Sequence, residues 1–275
     1  MNSDMPIHIL SLGAGVQSSA LALMAAAGEV TPMPVAAIFA DTQAEPASVY
    51  KWLDWLETKL PFPVHRISQG NLTTMSLRLR TAVESGKTYT KHSIPAFIKG
   101  PLGEGLLMRQ CTQDFKIDPI IREIAKIRKG VPGKPSVIQW IGISVDESRR
   151  MKGSRVSYVT NRWPLVDRGV TREGCMRWMK ERGFPEPPRS ACVYCPYHSD
   201  SEWRRLKETE PEAFERAVQY EGDMQRVIGQ VTGVTGTPWL HRSCQPLGSI
   251  QFAAAASPAE EQQFFNLECE GMCGV

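Results

Sequence analysis

The sequence contains no run approaching the roughly 20 consecutive apolar residues of a membrane span. The apolar stretch Leu21 to Ala27 is short, has no basic leader and is followed by an acidic residue, so a signal peptide is not expected. Charge of one sign is not in excess. The 32 Lys and Arg against 29 Asp and Glu leave a formal +3, which announces neither a nucleic-acid nor a membrane partner by itself. No internal repeat occurs, and the one low-complexity patch, Ala253 to Ala256, is too short to matter. A secreted disulfide framework is also missing, because the seven cysteines are odd in number and irregularly spaced. These absences lead to the expectation of a soluble, cytoplasmic protein whose cysteines serve metal or redox chemistry. With 275 residues the chain can bury a full core, and one α/β domain with an appendage is favoured over two small domains.

Pro6 to Leu12 is a short apolar run that meets glycines and then a helix-forming stretch, Val16 to Ala27. Val35 to Ala40 predicts a second buried strand, and Pro46 opens an amphipathic helix with Val49, Trp52, Leu53 and Leu56 on one face. Pro63 to Ile67 is a weaker third strand. Asn71 to Glu84 reads as helix, and Ser85 to Met108 as an exposed functional loop. Asp114 to Arg128 is expected to be helical and Val137 to Ile143 to be a buried strand, followed directly by the basic loop Arg149 to Arg155. Helices are then expected at Thr171 to Arg182, Asp200 to Thr209 and Pro211 to Ile228. The fold class is therefore α/β, a Rossmann-like parallel sheet flanked by helices with a helical C-terminal extension. A nucleotide-binding part (1–168) and the extension (169–275) would pack as one unit.

The turn Gly13-Ala14-Gly15-Val16-Gln17-Ser18-Ser19 lies between the first strand and first helix. Such a turn lets backbone N–H groups approach phosphate oxygens at a helix N-terminus, with hydroxyl donors added by Ser18 and Ser19. Gly13 and Gly15 alone would equally serve a tight turn with no ligand. Cys192-Val193-Tyr194-Cys195 sits among prolines, an arrangement that aims two thiolates at one metal; a redox pair or two packed thiols are the other readings. Arg109, Lys116, Arg149, Arg150, Lys152 and Arg155 fall where an α/β sheet binds ligands, and would neutralise phosphate or sulfate. Lys126 to Lys129 and Lys134 extend a basic surface able to accept a polynucleotide backbone, tRNA or DNA. His198 and His241 are acid–base candidates without an assigned role.

Five ordered segments carry a resemblance to the 3′-phosphoadenosine 5′-phosphosulfate (PAPS) reductase-like family of the adenine nucleotide alpha-hydrolase superfamily, the PP-loop ATP pyrophosphatases. They are Phe39-Ala40-Asp41-Thr42; Arg109-Gln110-Cys111-Thr112 with Lys116 and Pro119; Gly142 to Arg150; Pro164-Leu165-Val166-Asp167; and Ser190 to Pro196, and the Gly13 to Ser19 loop before them resembles the modified phosphate loop of the superfamily. The chain departs from the family pattern where Gly13-Ala14 stand for the first Ser-Gly of the loop, where the tail lacks Gly-Leu-His and has a second cysteine, and at three further places. Val16-Gln17 replaces the Lys-Asp of many ATP-using loops, Ser144 stands where Arg is usual, and Thr112 replaces the second cysteine of a Cys-Cys pair. The resemblance implies an adenine nucleotide held by Gly13, Gly15, Gln17, Ser18, Ser19, Asp41, Thr42, Arg109, Arg149 and Arg150. It also implies a [4Fe-4S] cluster on Cys111, Cys192 and Cys195, with Cys175, Cys244 or no further thiolate in the fourth place and structural zinc as the alternative. The tail Glu268-Cys269-Glu270-Gly271-Met272-Cys273 resembles the segment in which reductases carry their nucleophile, which makes Cys269 and Cys273, with Lys116, the catalytic candidates.

Three functions follow as expectations. The first is an iron–sulfur sulfurtransferase that uses ATP and Mg2+ to adenylate an acceptor, with tRNA or DNA as the acceptor class and a cysteine desulfurase supplying sulfur. The second is reductive cleavage of PAPS or APS to sulfite, with a thioredoxin-like reductant. The third is a non-catalytic nucleotide-sensing metalloprotein. The sequence leaves the oligomeric state open.

Overall fold

A computed structural model describes residues 5–101 and 103–252. The first strand, β1 (Ile7–Ser11), runs through the glycine turn into α1 (Val16–Ala26). β2 (Ala36–Asp41), α2 (Ala47–Glu57) and β3 (Val64–Ser68) follow. Then come α3 (Leu72–Ser76) and the short strands β4 (Leu79–Thr81), β5 (Thr88–Thr90), β6 (Phe97–Gly100) and β7 (Gly103–Leu106). A π-helical turn, Gln113–Ile117, leads into α4 (Asp118–Lys129). The second half contains β8 (Val137–Ile141), a 3-10 turn at Val145–Arg150, β9 (Val159–Arg162), α5 (Pro164–Asp167), α6 (Arg172–Glu181), α7 (Asp200–Thr209), α8 (Pro211–Ile228) and β10 (Thr237–Trp239).

The central sheet has the order β3-β2-β1-β8-β9 and every pairing in it is parallel. Side chains alternate across it with the period of two that a strand imposes. Leu10, Ala37, Phe39 and Trp140 point into a core shared with α1, α2 and α6, while Ile9, Ile38, Val137 and Ile141 point into a core under α4. α1 is buried from Val16 through Ala25, as expected for a helix that is apolar or small on nearly every face. The molecule is thus a three-layer α/β structure of Rossmann-like form. Because α6 contributes Cys175 and Met179 to the same core as α1, the boundary at 168/169 is not a packing boundary.

A third core gathers α7 and α8 against Ala44, Leu72, Ile94 and Phe115. α7 and α8 have the ends their sequence patterns set. Ser199 caps α7 by accepting from Glu202 N, and Pro211 opens α8. The expected helix over Asn71 to Glu84 stops at Ser76. Asn71 caps it, but β4 and β5 then pair as an antiparallel ribbon around Gly86, whose φ of +64 suits the turn. Much of the expected loop from Ser85 to Met108 is strand as well, with β6 between β7 and β10 in an antiparallel sheet. Among the described residues, no helix is long and apolar enough to cross a membrane.

Candidate functional site

In a sheet ordered 3-2-1-4-5 the connections leave in opposite directions on either side of the first strand, and a crevice opens at its C-terminal end. Here that switch lies between β1 and β8. The Gly13 to Ser19 turn leaves β1, and Gly142 to Arg150 leaves β8, so both expected binding segments meet at one place. Their approach is close. A Cβ built on Gly142 would stand 2.8 Å from Ser18 Cα and 2.8 Å from Ser18 N, so no side chain fits. Within the turn Gly13 N donates to Ser18 Oγ at 3.1 Å, and no side chain caps the first turn of α1. Ala14 takes φ 58, a left-handed value more often given to glycine. Ser19 is turned elsewhere, accepting a hydrogen bond from Trp52 Nε1 at 2.9 Å under α2.

Gln17 is fixed at both ends of its amide. Its Nε2 donates to Glu147 Oε2 at 2.9 Å, and its Oε1 accepts from Arg172 Nη1 at 2.9 Å. Glu147 is 2% exposed and its other oxygen accepts from Arg150 Nη1. A carboxylate at position 17 would face the buried Glu147 charge, a physical reason for the amide there. Arg149 is exposed on the same turn.

The Cys192 to Cys195 turn lies across the C-terminal ends of β1 and β2. Ser190 Oγ donates to Gly13 O, Val193 N donates to Ala44 O at 2.8 Å, and Cys192 Sγ lies 3.3 Å from Thr42 Oγ1. Tyr194 holds the turn in place, stacked on Tyr220 with centroids 4.0 Å apart and bonded to Thr73 Oγ1. Beneath it Cys111, Cys192 and Cys195 line one cavity together with Thr42, Arg109, Thr112 and Lys116. The cavity holds about 30 Å3, room for about one water. Lys116 Nζ is 3.7 Å from Glu45 Oε1, both side chains being buried. Arg109 donates through Nε to Thr112 Oγ1 at 2.8 Å and stacks over Tyr197. Burial and the Glu45 charge push the Cys192 thiol up to about 12.

The remaining candidates lie apart from this cavity. Cys175 is 0% exposed in the core between α1 and α6, so the short sequence separation from Cys192 does not bring it to the other thiols. Cys244 has φ 52 and bonds to Arg242 O at 3.9 Å; burial, with Glu104 nearby, raises its thiol. Asp41 accepts from Gln43 N and Tyr50 Oη at the end of β2. His198 Nε2 donates to Cys192 O at 3.0 Å, behind the cavity wall, while His241 pairs with Asp200. Cys269 and Cys273 lie outside the described residues. Among the described residues, no three His, Cys, Asp or Glu side chains converge in a metal-holding arrangement as they stand. Glu45, in an irregular loop, and Arg172, at the start of α6, join the site without a sequence signal, whereas Ser190 opens the Ser190 to Pro196 segment already marked.

The class defined by fold is a Rossmann-like α/β protein with a loop-lined crevice at its topological switch point. Comparison with family models gives no match, and no curated protein matches the chain significantly.

Proposed function

We propose that the chain is an adenine-nucleotide-dependent sulfur-transfer enzyme of the PAPS reductase-like branch of the adenine nucleotide alpha-hydrolases, acting on a nucleic-acid acceptor. The observation that carries this reading is the cavity where Cys111, Cys192 and Cys195 meet Lys116 and Arg109, joined to the phosphate turn through Ser190. Uncapped N–H groups at the start of α1 suit nucleotide phosphates. An acceptor oxygen would attack the α-phosphorus of ATP and release pyrophosphate. Sulfide, released from a desulfurase persulfide by an external thiol reductant, would then attack the activated carbon, and the carbon–sulfur bond would form as the carbon–oxygen bond to AMP breaks.

Three thiols around one pocket match an iron–sulfur cluster in donor type and number, and the cavity of about 30 Å3 would have to widen to admit one. Cys111, Cys192 and Cys195 would hold it, and it would supply an iron able to bind sulfide. Lys116 favours the Cys192 thiolate against burial and Glu45, and the thiol proton would have to leave for a metal to bind. Gln17, held by Glu147 and Arg172, orients the turn that receives phosphate.

Anaerobic purification followed by iron, sulfide and zinc analysis tests the cluster, and stoichiometric zinc without iron would remove it. Incubation with ATP and Mg2+ is expected to release pyrophosphate. Sulfite released from PAPS with thioredoxin, and no pyrophosphate from ATP, would refute the ATP-dependent reading.

A further inference from the structure

The near-balance of charge in the whole chain conceals a one-sided region. Residues 124–145 contain four Lys or Arg and residues 149–162 contain five, and neither segment contains an Asp or Glu. The fold brings these segments together along β9, the outer strand of the sheet. Arg149 stands at the C-terminal end of β8. The chain then descends beside β9, with Lys152 O accepting from Asn161 Nδ2 at 2.8 Å and Val137 N donating to Tyr158 O at 2.8 Å. At the bottom the Arg128 guanidinium stacks on Tyr158 at 4.5 Å, next to the exposed Lys129 and Lys134. From Val137 to Ile141 the sheet rises about 13 Å at ~3.3 Å per residue, so these cations form a band spanning the sheet edge.

The nearby acids are already engaged. Glu123 pairs with Lys126, Glu147 with Arg150 and Asp167 with Arg162, while Asp146 accepts from Arg172 N. No ion pair among the described residues holds Lys129, Lys134, Arg149, Lys152 or Arg155. A lipid surface would call for apolar side chains between the cations. Of the large exposed hydrophobic residues only Val145 lies within 124–162, too few to seat on a lipid surface.

We propose that this band binds the phosphate backbone of a nucleic acid and leads it toward the crevice between β1 and β8. The inference rests on the nucleic-acid acceptor of the proposed function and names the surface that holds it. Cations that neutralise phosphates release counterions, so binding weakens with salt in proportion to the contacts made.

Fluorescence anisotropy with labelled single-stranded RNA, labelled single-stranded DNA and phosphatidylserine vesicles, without ATP, tests it. With about five contacts the plot of log K against log salt should have a slope near −3.5 for a single strand, at ~0.7 per contact. Lys152→Ala with Arg155→Ala should reduce the slope by about 1.4 and leave the thermal midpoint unchanged. Lys51→Ala, on α2 at the other side of the sheet, should leave both unchanged. An unaltered slope in the double variant, or binding to vesicles in place of nucleic acid, overturns the proposal. Pyrophosphate release without nucleic-acid binding removes the band and keeps the chemistry; binding through the band without sulfur transfer does the reverse.

Discussion

Gly142→Ala places one methyl group at the junction of the two site segments. Its Cβ would lie 2.8 Å from both Ser18 Cα and Ser18 N and 3.1 Å from Ser18 Cβ. Carbon atoms pack at about 3.5 Å or more, so the end of β8 and the first turn of α1 must separate by roughly 0.7 Å. The closest atoms are backbone, and Ser18 is 5% exposed and bonded to Gly13 N, so no rotamer change relieves the clash. Overpacking of this kind costs about 1–3 kcal/mol, and a rigid neighbour puts this site at the upper end. At roughly 2–4 °C per kcal/mol, the melting midpoint should fall by about 6–12 °C. Urea unfolding followed by tryptophan fluorescence measures the loss, and calorimetric titration with ATP measures the accompanying fall in affinity. Gly153→Ala is the control, because a Cβ there meets nothing within 4 Å. Equal stability and nucleotide affinity in the two variants would refute the close approach and its role in shaping the crevice.

Three further outcomes are expected. Burial, with the Arg162 charge second, holds His8 below its ordinary value of 6.5, and Trp140 Nε1 donates to its Nδ1 at 2.8 Å. Below that value the unfolded chain takes up a proton that the folded chain does not, so this part of the stability is present at neutral pH and is lost as pH falls through the histidine range. Urea midpoints of His8→Gln, which keeps an acceptor for Trp140, should therefore fall less steeply from pH 7.5 to 5 than those of the wild type; parallel curves would contradict this. Glu221 accepts from Leu240 N and Leu247 N, each at 2.8 Å, and Glu221→Ala should cost about 2–4 kcal/mol in chemical denaturation by leaving both donors unmet. Gly222 is exposed in the interior of α8 with nothing within 4 Å of its Cβ position, so Gly222→Ala should raise stability by about 0.5–1 kcal/mol, a gain readable in the melting midpoint.

Elements whose pattern is local were legible in the sequence. α8 spans Pro211–Ile228 and α7 Asp200–Thr209, as proline, cap and apolar spacing indicated, and α1 ends within one residue of its expected limit. The strand–turn–helix at Gly13 and the buried runs of β2 and β8 gave the α/β class, because a central parallel strand needs continuous apolar sequence. β9 went unread: three of its four residues, Thr160, Asn161 and Arg162, are polar, and an edge strand gains its pairing from β8 and not from its own pattern. The ribbon of β4 and β5 was lost in the same way.

For the site, the sequence marked the candidates, namely the Gly13 to Ser19 turn, the Cys192 and Cys195 pair, Cys111 and Lys116. Tertiary structure decided which of them meet. Cys111 is far from Cys192 along the chain yet shares its cavity, whereas Cys175 is near in sequence but faces the α1 core. Sequence separation measures the entropy of closing a loop, not the direction a side chain takes from its helix. The pairing of Gln17 with Glu147 and Arg172 likewise exists only because sheet order places the ends of β1 and β8 side by side.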